Sequence, residues 1–180
     1  MVAFSADPIT QWLTEHGPDR RMKIQEDFWF VDGAGKRWGA PKGSIINGAS
    51  IPEALWTSVG SPYTGDYRRA SIVHDVACDN PQISREAADD MFYEACLAGG
   101  CSLLQAKLLY AGVRIGAWAS STVYLAEPYT LAKSKPALPG HYTEAELLIR
   151  AKYTVLADQL RTTPDDLPQI KAVINNELNK

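Results

Sequence analysis

The chain is poor in the residue types that mark several protein classes. It has three cysteines in 180 residues, Cys78, Cys96 and Cys101. Three cannot all pair within one chain, so a disulfide-stapled scaffold is excluded and free thiols are the simpler expectation. It has three histidines, His16, His74 and His141, too few and too scattered for a histidine-rich metal centre. It has no excess of positive charge: 18 Lys and Arg against 21 Asp and Glu leave a net charge of −3. No nucleic-acid partner is expected, because nonspecific binding needs a basic footprint to release counterions. A clean apolar run of about 20 residues is missing, so no transmembrane segment is expected. The most apolar stretch, Leu103 to Trp118, carries Lys107 and Arg114 and reads as a buried helix. Met1 to Asp7 lacks the basic and apolar regions of a secretory signal, which points to a cytoplasmic chain. Repeats, low-complexity tracts and a Gly-x-Ser-x-Gly elbow are absent from the sequence.

What is present suits one ordinary domain with an appendage: 46% of residues are hydrophobic and 22% charged. A chain this long buries roughly 70% of its unfolded surface and needs no staples. Ile9 to Glu15 reads as a short helix stopped by Gly17-Pro18. Lys23 to Glu26 leads into a strand at Phe28 to Val31, Asp32 to Gly35 into a hairpin turn, and Arg37-Trp38 into the return strand. Pro41 and Gly43 break that strand, and Ser44 to Ile46 resumes it. Ser50 caps a helical turn that runs through Trp56, with Pro52 in its first turn. Asp66 caps a helix to about Asp79, Ser84 caps one closed by Gly99-Gly100, and Ser102 to about Val123 forms a third, central helix. Thr143 with Glu146 makes a capping box for about 144–160, and Thr163, Pro164 and Asp166 start a last helix over about 164–179. The fold class is α+β, mainly α. The expected divisions are a core at 1–126, a proline-containing linker at 127–141 and a C-terminal helical pair at 142–180.

His74-Asp75 is the most informative dipeptide. The connection between 79 and 84 is short, so the two flanking helices are antiparallel neighbours. Reflecting 74 through its midpoint gives Asp89, which shares a face with Arg85, Phe92, Tyr93 and Cys96. Asp90 shares its face with Glu86 and Glu94. Tyr67, Ala70, Ser71, His74 and Cys78 line one face of the first of these helices. A histidine held by a carboxylate is a ready general base, and Asp75, about 100° round the helix, is free to hold a cation. The competing reading is a His-Asp pair that only joins two helices.

Asn47-Gly48-Ala49-Ser50-Ile51-Pro52, Trp56, Pro62, Tyr67, Ala70 to Asp75, Arg85, Ala88-Asp89 and Phe92 resemble one phage and prophage family, the uncharacterised domain family numbered thirteen fifty-three, over about residues 28–119. The His-Asp pair with a facing Asp is also remotely similar to the prokaryotic phospholipases A2. That similarity implies a phospholipase-A2-like helix pair with His74 as base, Asp89 as its orienting acid, Asp75 as a Ca²⁺ ligand and a lipid or other ester as substrate. The chain departs from that pattern at Cys78, where the phospholipases typically carry Tyr, and in having no clear glycine-rich calcium loop before the helix. The phage resemblance implies a host-cell or virion-associated location.

Other constellations have two readings each. Cys78 is a thiolate nucleophile or a small apolar side chain. Ser50 is a nucleophile served by His74 or a helix cap. A metal-dependent phosphohydrolase would need histidines beyond His16 and His141. Lys107 and Arg114, seven apart, offset Asp75 or Asp89, bind an anionic head group, or form a solvated stripe. Trp29, Trp38 and Trp56 pack between hairpin and helices, or rim a ligand site. The apolar rows Leu147, Leu148, Ala151, Val155 and Leu167, Ile170, Val173, Ile174 pack internally, or bind a protein partner or a second copy.

The leading expectation is a hydrolase of an ester, with a non-catalytic phage accessory, virion or host-factor-binding protein as the alternative. The hydrolase requires a solvent-reachable His74 beside a concave apolar site.

Overall fold

A computed structural model describes residues 2–14, 21–60, 65–122 and 142–180. The fold is α+β and mainly helical, as the sequence implies. Six short strands come first: β1 (Ala3–Phe4), β2 (Thr10–Trp12), β3 (Met22–Ile24), β4 (Phe28–Val31), β5 (Arg37–Ala40) and β6 (Ile45–Ile46). They form two three-stranded antiparallel sheets in the orders β1-β4-β5 and β2-β3-β6. A 3₁₀ turn (Glu53–Leu55) and five helices of very unequal length follow the strands up to residue 162: α1 (Trp56–Val59), α2 (Arg68–Asp79), α3 (Arg85–Gly99), α4 (Leu103–Ser121) and α5 (Glu144–Thr162). A last helix, α6, spans Leu167–Leu178. None of the described helices is long and apolar enough to cross a membrane.

The chain divides into two compact units, residues 1–49 with 62–102, and residues 50–61 with 103–180. This differs from the expected break at 126/127. The helix at 103–121 belongs with the C-terminal helices rather than with the hairpin, because its contacts are to α5, α6 and α1. The expected linker at 127–141 lies outside the described residues.

In the first unit, the hairpin is organised by one side chain. Asp32 Oδ1 accepts the amides of Ala34 (3.0 Å) and Lys36 (2.8 Å), and its Oδ2 accepts the indole N–H of buried Trp38 at 2.8 Å. Gly35, at φ 81°, completes the turn where a side chain would be strained. Asp32→Ala strands three donors, one of them buried, and is expected to cost about 2–3 kcal/mol in urea unfolding. The alternation of Phe28, Phe30, Trp38 and Ala40 puts one face of β4 and β5 into the core, where α2 lies against it.

Three local expectations are corrected. Ile9 to Glu15 contains a strand instead of a helix, because Thr10 to Trp12 pairs residue by residue with β3. Asp66 does not cap α2: the N-cap is Tyr67, with no side-chain cap bond. Ser50 does not cap the turn at 53–55 either; Pro52 holds that position, again without a side-chain bond. By contrast, Ser84 accepts Ala87 N–H, and the Thr143–Glu146 capping box is complete.

In the second unit, α5 buries Ile149, Tyr153, Leu156 and Leu160, and α6 buries Ile170, Ile174 and Leu178. The expected α5 row is the solvent side: Leu147, Leu148 and Val155 are 53%, 43% and 42% exposed. Lys107 is likewise corrected. It is 4% exposed, gives a 2.6 Å hydrogen bond to Thr163 O just past the end of α5, and pairs with Asp165. It therefore satisfies a helix-end carbonyl and an aspartate of its own unit, where the sequence suggests a partner for Asp75 or Asp89 or for an anionic head group. Arg114 is half-buried in the same unit. Trp38 lies in the first unit, and Trp56, whose indole donates to Ile51 O, lies in the second.

Candidate functional site

The helix α2 forms because an unbroken run from Arg68 to Asp79 precedes Asn80-Pro81, which stops it. Ser84 restarts the chain as α3. The five residues between them fold α3 back on α2 and bring His74 and Asp89 together: His74 Nε2 donates to Asp89 Oδ1 at 2.7 Å. Arg85, one turn before Asp89, donates Nε to the same oxygen at 3.0 Å. Phe92, a turn later, tilts its ring against the imidazole, with centroids 4.8 Å apart.

The His74–Asp89 pair is sealed. His74 and Asp89 are both 0% exposed. Burial pushes the imidazole below its ordinary pKa, and the Asp89 carboxylate only partly opposes this. The solvent-reachable ring that a hydrolase requires is therefore not what the fold provides. The physical reason is the packing of Phe92 and the facing helix around a pair already satisfied by Arg85. A described cavity of about 340 Å³ opens elsewhere, among Asp7, Asp66, Arg68, Arg69 and Gly99 near the start of α2.

Cys78 lies one turn past His74, with Sγ 3.5 Å from Nε2 and 3.8 Å from Nδ1. Near-equal distances to the two nitrogens mean that the sulphur does not line up with the Nδ1 lone pair, unlike a thiol poised to lose its proton to a base. His74, Cys78 and Asp89 do present possible metal-ligand atoms within 4.8 Å of one another. Nε2 is already spent donating to Asp89, and Arg85 brings positive charge to the same carboxylate oxygen.

Asp75 points to the strand side. Its Oδ2 accepts Asn47 N–H at 2.6 Å, and the Gly48 amide also donates to it. Calcium takes six to eight oxygen ligands. What faces Asp75 is backbone N–H and the charges of Asp79 and Arg85, and among the described residues no group of three or more His, Cys, Asp or Glu surrounds it. These residues do not fit a Ca²⁺ site, and Asp75 instead ties α2 to the segment after β6. The sequence reading missed this contact. The signal was Gly48, whose φ of 98° turns the chain so that consecutive amides face one point.

Tyr67 is buried at the head of α2, and its carbonyl accepts the Ser71 hydroxyl at 3.1 Å. Burial, with help from Cys96 and Cys101, pushes its phenol up to about 12. Ser50 belongs to the other compact unit.

Two buried groups give opposite pH limbs. Burial raises Asp75 to about 7, against Asn47, Gly48 and Arg85, which favour its charged form, and with Asp79, which does not. Between about pH 4 and 7 the folded state then holds a proton the unfolded chain has lost, so this limb lowers stability as pH rises. His74 is depressed, so its limb lowers stability as pH falls below about 6.5. Asp75→Asn is expected to leave the histidine limb alone, so that stability climbs with pH up to about 6.5. His74→Gln leaves the falling limb. Thermal melts from pH 4 to 8 on the three proteins check both signs.

Comparison with known proteins places the chain among relatives. It is 33% identical over 110 residues to the uncharacterized protein y4jT of Sinorhizobium fredii (strain NBRC 101917 / NGR234), a match covering 61% of this chain and 32% of that protein. It is 38% identical over 90 residues to y4iH of the same strain, covering 50% of this chain and 38% of the relative. The chain thus spans about a third of the length of these curated relatives. No solved structure matches it. A family model described as "Protein of unknown function (DUF1353)" matches residues 22–113, which include β3 to β6, the Asp75 anchor and the whole His74–Asp89 helix pair; the chain belongs to that family.

Proposed function

We propose that this is a non-catalytic domain of a phage-type accessory protein, in which His74, Asp89 and Arg85 fasten α2 to α3. One observation carries this reading: neither the imidazole nor the carboxylate has any exposed surface. A general base must touch the proton it removes, directly or through one water. Here the carboxylate is spent on two donors, and the ring is enclosed by an aromatic side chain and a thiol. A buried, hydrogen-bonded His-Asp pair of this kind fixes helix register.

The competing reading is the ester hydrolase that the phospholipase resemblance implies. It draws on the use of Nε2 for Asp89, which leaves Nδ1 as the acceptor of the ring. Folded wild type and His74→Ala, assayed on short-chain nitrophenyl esters and phospholipid vesicles with and without Ca²⁺, separate the two. The expected result is no turnover by wild type above the variant, together with a large loss of thermal stability in the variant. Turnover that wild type shows and a folded His74→Gln lacks would overturn the proposal.

A further inference from the structure

The end of α3 carries a feature that the His74 group does not use. Gly100, at φ 108°, gives its N–H to Leu97 O at 3.1 Å, and Cys101 gives its N–H to Cys96 O at 3.1 Å. These two bonds make a Schellman cap, in which the side chains three residues inside the helix end and two beyond it are brought side by side. That contact is usually between apolar groups. Here both are cysteines, and their side chains are hydrogen-bonded to each other. Cys96 is fully buried, and Cys101 lies at the solvent edge with 6% of its surface exposed.

We propose that Cys96 and Cys101 are a redox pair that closes to a disulfide across the cap of α3 by exchange with a low-molecular-weight disulfide of the glutathione class. Cys101 attacks first. It is the more exposed of the two residues, and the Cys96 S–H bond holds its thiol below the usual range. Its thiolate bonds one sulphur of glutathione disulfide and expels one glutathione thiolate, which takes up a proton. Burial pushes Cys96 well up, so it stays a thiol until this point. Cys96 then gives its proton to the second departing glutathione as its sulphur bonds Cys101. Two protein thiols lose two electrons, and one glutathione disulfide becomes two glutathione molecules.

The surroundings say what the bond would hold. A Cβ on Gly99, between the two cysteines, would lie 2.4 Å from Asp66 O, so the end of α3 is already pressed against the segment that opens α2. Tyr67, next in that segment, interacts electrostatically with both thiols. A disulfide would lock the helix end that carries this contact. Cys78, beside His74, is a built-in reference thiol outside the pair.

The test equilibrates the full chain in a series of reduced and oxidised glutathione ratios, quenches with acid, unfolds, alkylates and maps the peptides by mass spectrometry. The expected result is a Cys96–Cys101 disulfide in most chains at ratios that leave Cys78 largely alkylated. In Cys96→Ser the intermediate cannot resolve, so a glutathione adduct is expected to accumulate on Cys101. In Cys101→Ser, Cys96 is expected to stay reduced. Full alkylation of Cys96 and Cys101 across the series, or a disulfide that recruits Cys78 instead, would overturn the proposal. So would a Cys96→Ser variant that remains unmodified at Cys101.

Discussion

Asp89→Ala is expected to lower the free energy of unfolding by about 3–5 kcal/mol, measured by urea denaturation at pH 7. The carboxylate it removes is fully buried and accepts from two donors at once, His74 Nε2 at 2.7 Å and Arg85 Nε at 3.0 Å. Alanine leaves the imidazole N–H in an apolar enclosure with Phe92 against its ring, and leaves a guanidinium whose Nη2 is already buried without a hydrogen-bond partner. The cost comes less from the lost attraction than from the imidazole donor stranded out of water, with the part-buried guanidinium losing its acceptor as well. Asp89→Asn keeps an acceptor of the same shape but loses the charge, so it belongs between wild type and alanine. Asp90→Ala removes a carboxylate one residue along, on a less buried face, and is expected to cost much less. An Asp89→Ala variant as stable as wild type would show that this group does not fasten α2 to α3.

The pairing of 74 with 89 was legible because a short connection between two helices fixes their relative height, and the side chains on one face then follow from helical spacing. Caps were legible where a side chain makes the bond, as at Ser84 and Thr143, and illegible where backbone geometry alone starts the helix, as at Tyr67 and Pro52. Burial of the ring was not in the spacing. The same His-Asp arrangement serves a base at a cleft or a clamp in a core, and only what packs around it decides. On α5, apolar residues recur at helical spacing on two adjoining sides, at Leu147, Leu148 and Val155 and at Ile149, Tyr153, Leu156 and Leu160. A pattern of residue types cannot tell which side meets a neighbour. Lys107 misled for the opposite reason. A long cation in an apolar helix looks like a partner for a distant acid, and its actual acceptors, Thr163 O and Asp165, lie where the sequence reading had only a helix end. Gly99-Gly100 announced the end of α3, but the meeting of Cys96 with Cys101 follows from the kind of cap, which the glycine alone does not specify.

Gly116→Ala is expected to destabilise the chain by about 3 kcal/mol or more, although it adds a better helix former to the interior of α4. A Cβ built on Gly116 would lie 2.2 Å from the Ser50 carbonyl oxygen, and 3.4 Å from Pro52 Cδ. The obstacle is backbone, which cannot rotate away as a side chain can, so either α4 or the 50–52 segment must shift. Gly112, one turn earlier on the same helix, is the internal comparison. The three atoms nearest its Cβ would all be Ile51 side-chain atoms, the closest at 3.3 Å. Both substitutions gain the same helix propensity, about 1 kcal/mol over glycine. The difference between Gly116→Ala and Gly112→Ala in urea unfolding therefore isolates the steric cost of pressing a side chain onto the Ser50 carbonyl. That contact also explains why Ser50 is no cap: residues 50–52 are spent lying along the glycine face of α4, and the helical turn begins only after Pro52. A Gly116→Ala protein as stable as Gly112→Ala would mean that this segment yields at little cost. The approach of chain to helix would then be incidental to the fold of the second unit.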